Sequence, residues 1–147
     1  MIKTSDRKPR RARQGGHAIL EFSVVAPWLL FLFSGAFDMG FYEYCLISTE
    51  NAARVAAFYT SSNSAVAGDS DGACQYALAE MKMLSNVNGL TSCAAAPLVV
   101  MATAVTGVDG NPASNVDIAY TTNQLIPIPG LTGKTTVRRV VQMRIKE

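Results

Sequence analysis

An uninterrupted apolar stretch near the N-terminus constrains this chain more than any other feature of its sequence. From Ala18 to Phe37 there are twenty residues, and Glu21 is the only charged one among them. At a rise of ~1.5 Å per residue, a helix of this length measures ~30 Å, about the thickness of the hydrocarbon core of a bilayer. The stretch therefore predicts one membrane-spanning helix.

The residues in front of this stretch are typical of a segment that a protease removes. Residues 1–14 are basic and polar, and Gly15 and Gly16 separate them from the apolar run. A secretory signal peptide is cut after its apolar core, whereas the accessible glycine pair here precedes it. If the chain is cleaved, we expect the cut at the Gly16–His17 bond, which makes Glu21 the fifth mature residue. A cut after Gly15 would make it the sixth.

Glu21 is the chemically unusual residue of the apolar stretch. A carboxylate at the centre of a bilayer costs about 2.5–3.5 kcal/mol on insertion scales, so it needs water or a partner. Two interpretations remain open. In the first, Glu21 lies one turn into a helix that starts at His17, and headgroups and water hydrate it. In the second, it pairs with the α-ammonium of His17 in a neighbouring subunit, and the pair fixes the register between subunits.

Residues 10–58 resemble the N-terminal region of type IV prepilins, which have a basic leader, a glycine, a glutamate five residues later and then a spanning helix. The segment from Gly16 to Phe22 carries this pattern. The sequences APWLL at 26–30 and NAARVAA at 51–57 resemble the TadE-like minor pilins, or pseudopilins, of tight-adherence pilus systems.

The resemblance implies a set of partners and roles. It implies cleavage by a membrane prepilin peptidase, with Glu21 and Phe22 serving peptidase recognition and subunit recruitment. It also implies assembly with other pilin and minor pilin subunits on an inner-membrane platform, in support of adhesion. A major filament subunit is disfavoured, because the major pilins of these systems look far shorter.

The charge distribution predicts the orientation in the membrane. The first sixteen residues hold six Lys or Arg and one Asp, and the rest of the chain has seven basic and ten acidic side chains, a net charge of −3. Basic residues beside a span stay on the cytoplasmic side. We therefore expect a single pass through the inner membrane, a cytoplasmic N-terminus and a periplasmic C-terminal region, which after assembly lies in an extracellular pilus. Nucleic-acid binding by the basic tail is the alternative, but no aromatic residues interleave its arginines, so no nucleic-acid partner is expected.

The three cysteines lie in the region expected to be periplasmic, where disulfides form. Cys74 and Cys93 enclose a loop of eighteen residues, and closing a loop of this size contributes ~3 kcal/mol in the chain-entropy model. We predict a Cys74–Cys93 disulfide and expect Cys45 to pack as a small apolar residue in a helix interface. With His17 as the only histidine, neither a metal site nor a cofactor is expected.

The apolar run continues into an amphipathic pattern. From Phe41 to Tyr59, apolar and small residues recur at steps of three and four with charged residues between them, which indicates a helix with one buried face. We predict one helix over residues 17–59. Pro27 removes a backbone donor inside it, so a kink is expected near residues 23–27. This proline is either a tolerated membrane proline or, as the resemblance implies, a place where the helix loosens in a filament.

Residues 60–147 predict a small periplasmic α+β domain. Turn-forming residues predict a loop over 61–72, and apolar periodicity predicts a helix over 73–87. Strands are predicted over 98–105, 116–121 and 137–145. The expected fold class is α+β. The long N-terminal transmembrane helix continues into a small pilin-like domain with a short helix and a three-stranded antiparallel sheet. The chain thus divides into a basic cytoplasmic leader (1–16), the helix and its extension (17–59) and the periplasmic domain (60–147).

Catalysis is not expected of this chain. His17 sits at the membrane boundary, so no Ser-His-Asp or Cys-His pair can form in the periplasmic domain, and no Gly-rich phosphate loop is present. Asp69 and Asp71 lack the remaining ligands that calcium requires, and we interpret them as solvated loop charges.

Two classes of function remain. One is a cleaved pilin-like subunit. The other is an uncleaved single-span anchor that presents a periplasmic binding or scaffold domain. Gly16 and Glu21 separate the two, because an anchor needs neither.

Overall fold

The computed structural model of the chain describes residues 17–123 and 133–146. Gly16, the rest of the predicted leader and most of the Pro- and Gly-rich connection before the last strand lie outside the described residues. By its contacts the chain divides into two compact units, residues 1–36 and 37–147.

Helix α1 spans His17–Thr60 and contains 44 residues. This confirms the single long helix expected from the apolar run and the amphipathic pattern behind it. The helix continues through Pro27 without a break in its assignment, and the kink stays a prediction. Its two parts differ in burial. The apolar side chains of 17–36 are exposed, whereas the small residues Ala52, Ala53, Ala56 and Ala57 are fully buried.

Helix α2 spans Ser70–Met81, which is displaced from the expected 73–87. It begins early because the Asp69 side chain accepts a hydrogen bond from the Gly72 N–H at 2.9 Å and so caps the first turn. Beyond Met81 the backbone forms turns instead of a helix. In one of them the Leu84 N–H donates to the carbonyl of Met81, three residues earlier, at 2.9 Å. Leu84 and Val87 are buried in these turns. Their apolar spacing predicted a longer helix, but it reflects only their burial.

The sheet is antiparallel and has four strands in the order β1-β2-β3-β4, not three. The α+β class is confirmed, and the strand count is corrected. The strands are β1 Ala94–Ala95, β2 Leu98–Thr106, β3 Pro112–Thr121 and β4 Thr136–Arg144. The additional strand β1 consists of two alanines paired with Leu98 and Val99, a segment too short and uniform to show a period of two.

The core of the second unit lies between the C-terminal part of α1, helix α2 and one face of the sheet. Across the sheet, Ile118 pairs with Val100 on one side and Arg139 on the other. Ile118, Val116 and Tyr120 are fully buried. Because the helix presents alanines to this face, large side chains from the sheet fill the space between helix and strands.

Candidate functional site: an exposed apolar helix and its carboxylate

The N-terminal part of α1 presents large apolar side chains on all sides. Phe22 is 68% exposed and Trp28 is 67% exposed. The same holds for their apolar neighbours Ile19, Leu20, Val24, Leu29, Leu30, Phe31, Leu32 and Phe33. Proteins that stay in water rarely leave so large an apolar surface uncovered. Within the part of the chain that the structure describes, α1 is the one helix long and apolar enough to cross a membrane, which fits a single-pass membrane protein.

Glu21 lies in this exposed apolar surface, and Phe22 follows it. His17 is the first residue of α1, and Glu21 is four positions later, so the two side chains share one helix face. Within residues 17–123 and 133–146, Glu21 forms no ion pair. The nearby Ser23 does have a hydrogen-bond partner within the helix. Its hydroxyl donates to the Leu20 carbonyl at 2.8 Å. Glu21 therefore needs a partner from outside the described chain, either solvent or another molecule.

The polar groups of the second unit, in contrast, serve the fold. Asp69 was interpreted from the sequence as a solvated loop charge, but it is half-buried and caps α2. It also accepts a hydrogen bond from the Tyr59 hydroxyl at 2.8 Å, and the Tyr59 ring packs on Tyr76 with centroids 4.7 Å apart. The hydrogen bonds from the Gly72 N–H and from Tyr59 hold the pKa of Asp69 below its usual range.

A second carboxylate, Asp117, is paired across the sheet. Its two oxygens accept from Arg138, with Nε at 2.9 Å and 3.0 Å and a further contact from Nη2. This hydrogen bonding lowers the pKa of Asp117. Since Asp117 is on β3 and Arg138 on the edge strand β4, the pair ties the last strand to the sheet.

A partly buried polar network joins the turn after α2 to the sheet. The Tyr120 hydroxyl donates to Asn86 Oδ1 at 2.6 Å, and Asn86 Nδ2 donates to the Thr121 carbonyl at 2.9 Å. Burial is the main reason that the pKa of Tyr120 is raised to about 12. Among the described residues, no buried side-chain nitrogen or oxygen lacks a hydrogen-bond partner. Spacing in the sequence does not reveal this network, because Asn86 and Tyr120 are far apart in the chain.

The disulfide predicted from the sequence is present, and the third cysteine lies in the domain core. Cys74 and Cys93 form a disulfide that links α2 to the segment before β1. Cys45 is a free thiol, fully buried against the core. Across the described ranges, no group of three His, Cys, Asp or Glu side chains is placed to hold a metal ion.

The sequence-predicted site residues thus fall into two places. Glu21, Phe22 and Pro27 lie on the exposed apolar part of α1, with His17 at its start, while Cys74 and Cys93 stabilise the small domain. Gly16 lies outside the described residues. These features fit a single-span membrane protein with an α+β domain.

Residues 16–57 match the family described as TadE-like protein. The match is consistent with a TadE-like protein of tight-adherence pilus systems, a family associated with the pilus as a structural component. The matched segment contains Glu21, Pro27 and the whole exposed apolar surface, and it ends just before the loop that leads to α2. No curated protein and no solved structure matches the chain.

Proposed function

We propose that this chain is a minor pilin, or pseudopilin, of a tight-adherence pilus, and that it assembles through helix α1. One observation carries the proposal: Glu21 stands without an ion-pair partner among the described residues, one turn into an exposed apolar helix, within the segment that matches the TadE-like family. A helix that only anchors a domain gains nothing from a carboxylate at this position.

In this proposal the chain is the substrate of an enzyme. The chain inserts with its basic leader in the cytoplasm and the domain that holds Cys74 and Cys93 in the periplasm. A prepilin peptidase then cuts the Gly16–His17 bond, with Glu21 and Phe22 contributing to recognition. The cut leaves an α-ammonium group on His17.

The new ammonium group gives Glu21 a partner in a neighbouring subunit. Each of the two charges is costly alone in lipid, and pairing them offsets much of that cost while fixing the register of one helix against the next. The inner-membrane assembly platform and the other pilin subunits are the partners implied, and attachment to surfaces is the resulting role of the pilus.

An uncleaved single-span anchor is the second candidate. The observation that favours it is the self-contained second unit, which has its own core and disulfide. In that case neither Gly16 nor Glu21 would matter, and the function would lie in the periplasmic domain.

Intact mass and N-terminal sequencing separate the two functions. We expect protein purified from membranes of cells with the cognate peptidase to begin at His17. The variant Gly16→Leu should remain uncut, and the matched variant Gly15→Leu should still be cut. A full-length chain that begins at Met1 in the wild type would contradict the pilin proposal.

The role of Glu21 in assembly is tested on processed protein. The variant Glu21→Gln keeps the size of the side chain and removes its charge. We expect about tenfold less of this variant in sheared pili, equivalent to ~1.4 kcal/mol of assembly free energy.

A further inference from the structure

Strand β4 forms one edge of the sheet, because it is the last strand in the order β1-β2-β3-β4. Just after β4, the Ile145 N–H donates to the Pro112 carbonyl at 3.0 Å, and the pairing of β4 with β3 continues from there in the same register. Bonded residues alternate along an antiparallel ladder. Every second residue of β4 therefore turns its backbone groups away from β3. These outward residues are Thr136, Arg138, Val140, Gln142 and Arg144.

The backbone groups of the outward residues are open to a partner. Within residues 17–123 and 133–146, their N–H groups have no hydrogen-bond acceptor. Over the same ranges their carbonyls are also open, apart from that of Arg138, which accepts from Arg139 Nη1 at 3.3 Å. A row of unpaired N–H and C=O groups is a template for a further strand.

The other edge of the sheet is partly closed by the chain's own groups. Beside β2, the Val100 N–H donates to the Cys93 carbonyl at 3.1 Å. The Ala102 N–H donates to Ser70 Oγ at 2.9 Å, and the Ser70 hydroxyl reaches the Ala102 carbonyl at 3.4 Å. Strand β1 covers the start of β2. The edge of β4 is thus the better template of the two.

Apolar side chains are available on both faces of β4. Val141 and Met143 are half-buried and pack against the core. Val140 points to the opposite face and is 56% exposed. A strand added beside β4 would remove apolar surface from water on each face, which favours binding.

Two of the three arginines of β4 already act on a carboxylate of the neighbouring structure. Arg138 forms an ion pair with Asp117, and the charge of Arg144 acts on Asp109. Neither arginine is counted as free for a partner.

Arg139 is different, because it has no ion-pair partner in the part of the chain that the structure describes. It is half-buried and shares its side of the strand with Val137 and Val141. An inward-pointing charge on an edge strand opposes pairing with an unselected strand. A carboxylate placed opposite Arg139 would turn this cost into an attraction.

We propose that β4 binds an extended segment of a partner protein as an added strand, and that this segment has a carboxylate opposite Arg139 and apolar side chains beside it. The backbone hydrogen bonds supply the affinity, and Arg139 supplies selectivity and register. A second copy of β4 does not fit this description, because β4 contains no acidic residue. The inference concerns the second unit alone and does not depend on cleavage after Gly16.

Hydrogen exchange with a designed peptide tests strand addition directly. The probe is a blocked nine-residue peptide that runs antiparallel to β4. It has glutamate opposite Arg139, valine opposite Val137, Val141 and Met143, and threonine elsewhere, because valine and threonine favour strands. We expect the amides of the outward residues of the full ¹⁵N-labelled chain in lipid nanodiscs to become protected, while the Val141 amide, already bonded to β3, is unchanged. Absence of protection along β4, or protection only along β2, would overturn the proposal.

A proline variant tests whether the outward backbone groups carry the binding. Val140→Pro removes an outward N–H, and edge strands accept proline at such a position. The matched variant Val140→Thr keeps the N–H and the branched side chain. We expect the peptide to bind Val140→Pro about tenfold more weakly than the wild type, and Val140→Thr to bind it as the wild type does. Equal binding by the proline variant would contradict strand addition.

Charge reversal tests the role of Arg139. A peptide with lysine in place of glutamate should bind the wild type about tenfold more weakly, and Arg139→Glu should prefer the lysine peptide. The matched variant Lys82→Glu, after α2, should keep the wild-type preference. Equal binding of the two peptides by the wild type, or loss of the preference in Lys82→Glu, would overturn the proposal. The comparison of peptides on the wild type decides the matter even if Arg139→Glu does not fold.

Discussion

Two carboxylates of this chain show how a side chain's surroundings set its role. Asp69 receives hydrogen bonds from the Gly72 N–H and the Tyr59 hydroxyl, so the fold itself stabilises its charge. Glu21 stands on an apolar surface without an ion-pair partner among the described residues. The first carboxylate is therefore structural, and the second has no structural role among the described residues, which is why we centre the proposed function on Glu21.

Asp69 makes the stability of the domain dependent on pH. Its folded-state pKa lies below the usual range, so as the pH falls the unfolded chain takes up the proton first. Its stabilisation is therefore fully present above the unfolded-state pKa and is lost as the pH falls through the folded-state pKa. We expect Asp69→Asn, which keeps a good N-cap, to reduce the acid loss of thermal stability. Asp69→Ala removes the N-cap itself, so it should also lower stability at neutral pH.

Thermal unfolding of the full chain in micelles, followed by near-UV circular dichroism between pH 7 and pH 3, distinguishes these variants. Equal acid sensitivity in the wild type and in Asp69→Asn would show that other carboxylates dominate. Asp117 is then the next group to test, because Arg138 also holds its pKa low.

The Cys74–Cys93 disulfide is the main covalent support of the small domain. It fixes α2 to the strand pair formed by β1 and β2, in a unit where seven of the eighteen buried core residues are alanines. A loop of this length predicts a loss of ~3 kcal/mol in the free energy of unfolding when both cysteines become serine. A reductant should lower the free energy of unfolding of the wild type by the same amount and leave that of the double variant unchanged. If reductant destabilises both equally, the effect does not come from the Cys74–Cys93 disulfide.

The elements that the sequence predicts well are those whose period repeats several times. In helix α1 the amphipathic spacing from Phe41 to Tyr59 repeats over about five turns, and on β3 the buried residues Val116, Ile118 and Tyr120 alternate with half-buried ones. The bounds of α2 were wrong because one hydrogen bond from Gly72 to Asp69 decides where the helix starts. Strand β1 was missed because its two alanines have no pattern, and pairing with β2 alone defines them.

The candidate site was predictable to a similar degree. Glu21 and Phe22 are recognisable from the sequence because they follow Gly16 at a short, fixed spacing and lie in an otherwise uncharged apolar run. The exposed and buried faces of α1 between residues 41 and 59 were not separated, because Tyr44 and Val55 satisfy the same helical period as Ala52. Only the packing of the sheet shows which side of the helix is covered.

The chain as a whole combines a surface suited to lipid with a domain suited to water, and its only tryptophan reports on the first of these. Trp28 lies within the apolar part of α1 and is 67% exposed. We expect its fluorescence to be blue-shifted in vesicles and strongly quenched by lipids brominated along the acyl chain, because the indole contacts hydrocarbon if α1 spans the bilayer. The matched variant Trp28→Phe combined with Phe58→Trp moves the reporter to an exposed position of α1 beyond the apolar run. That reporter should escape quenching by brominated lipids. If Trp28 resists quenching while the chain remains bound to vesicles, α1 lies outside the hydrocarbon. Both the pilin and the anchor functions would then fail, because each requires a spanning helix.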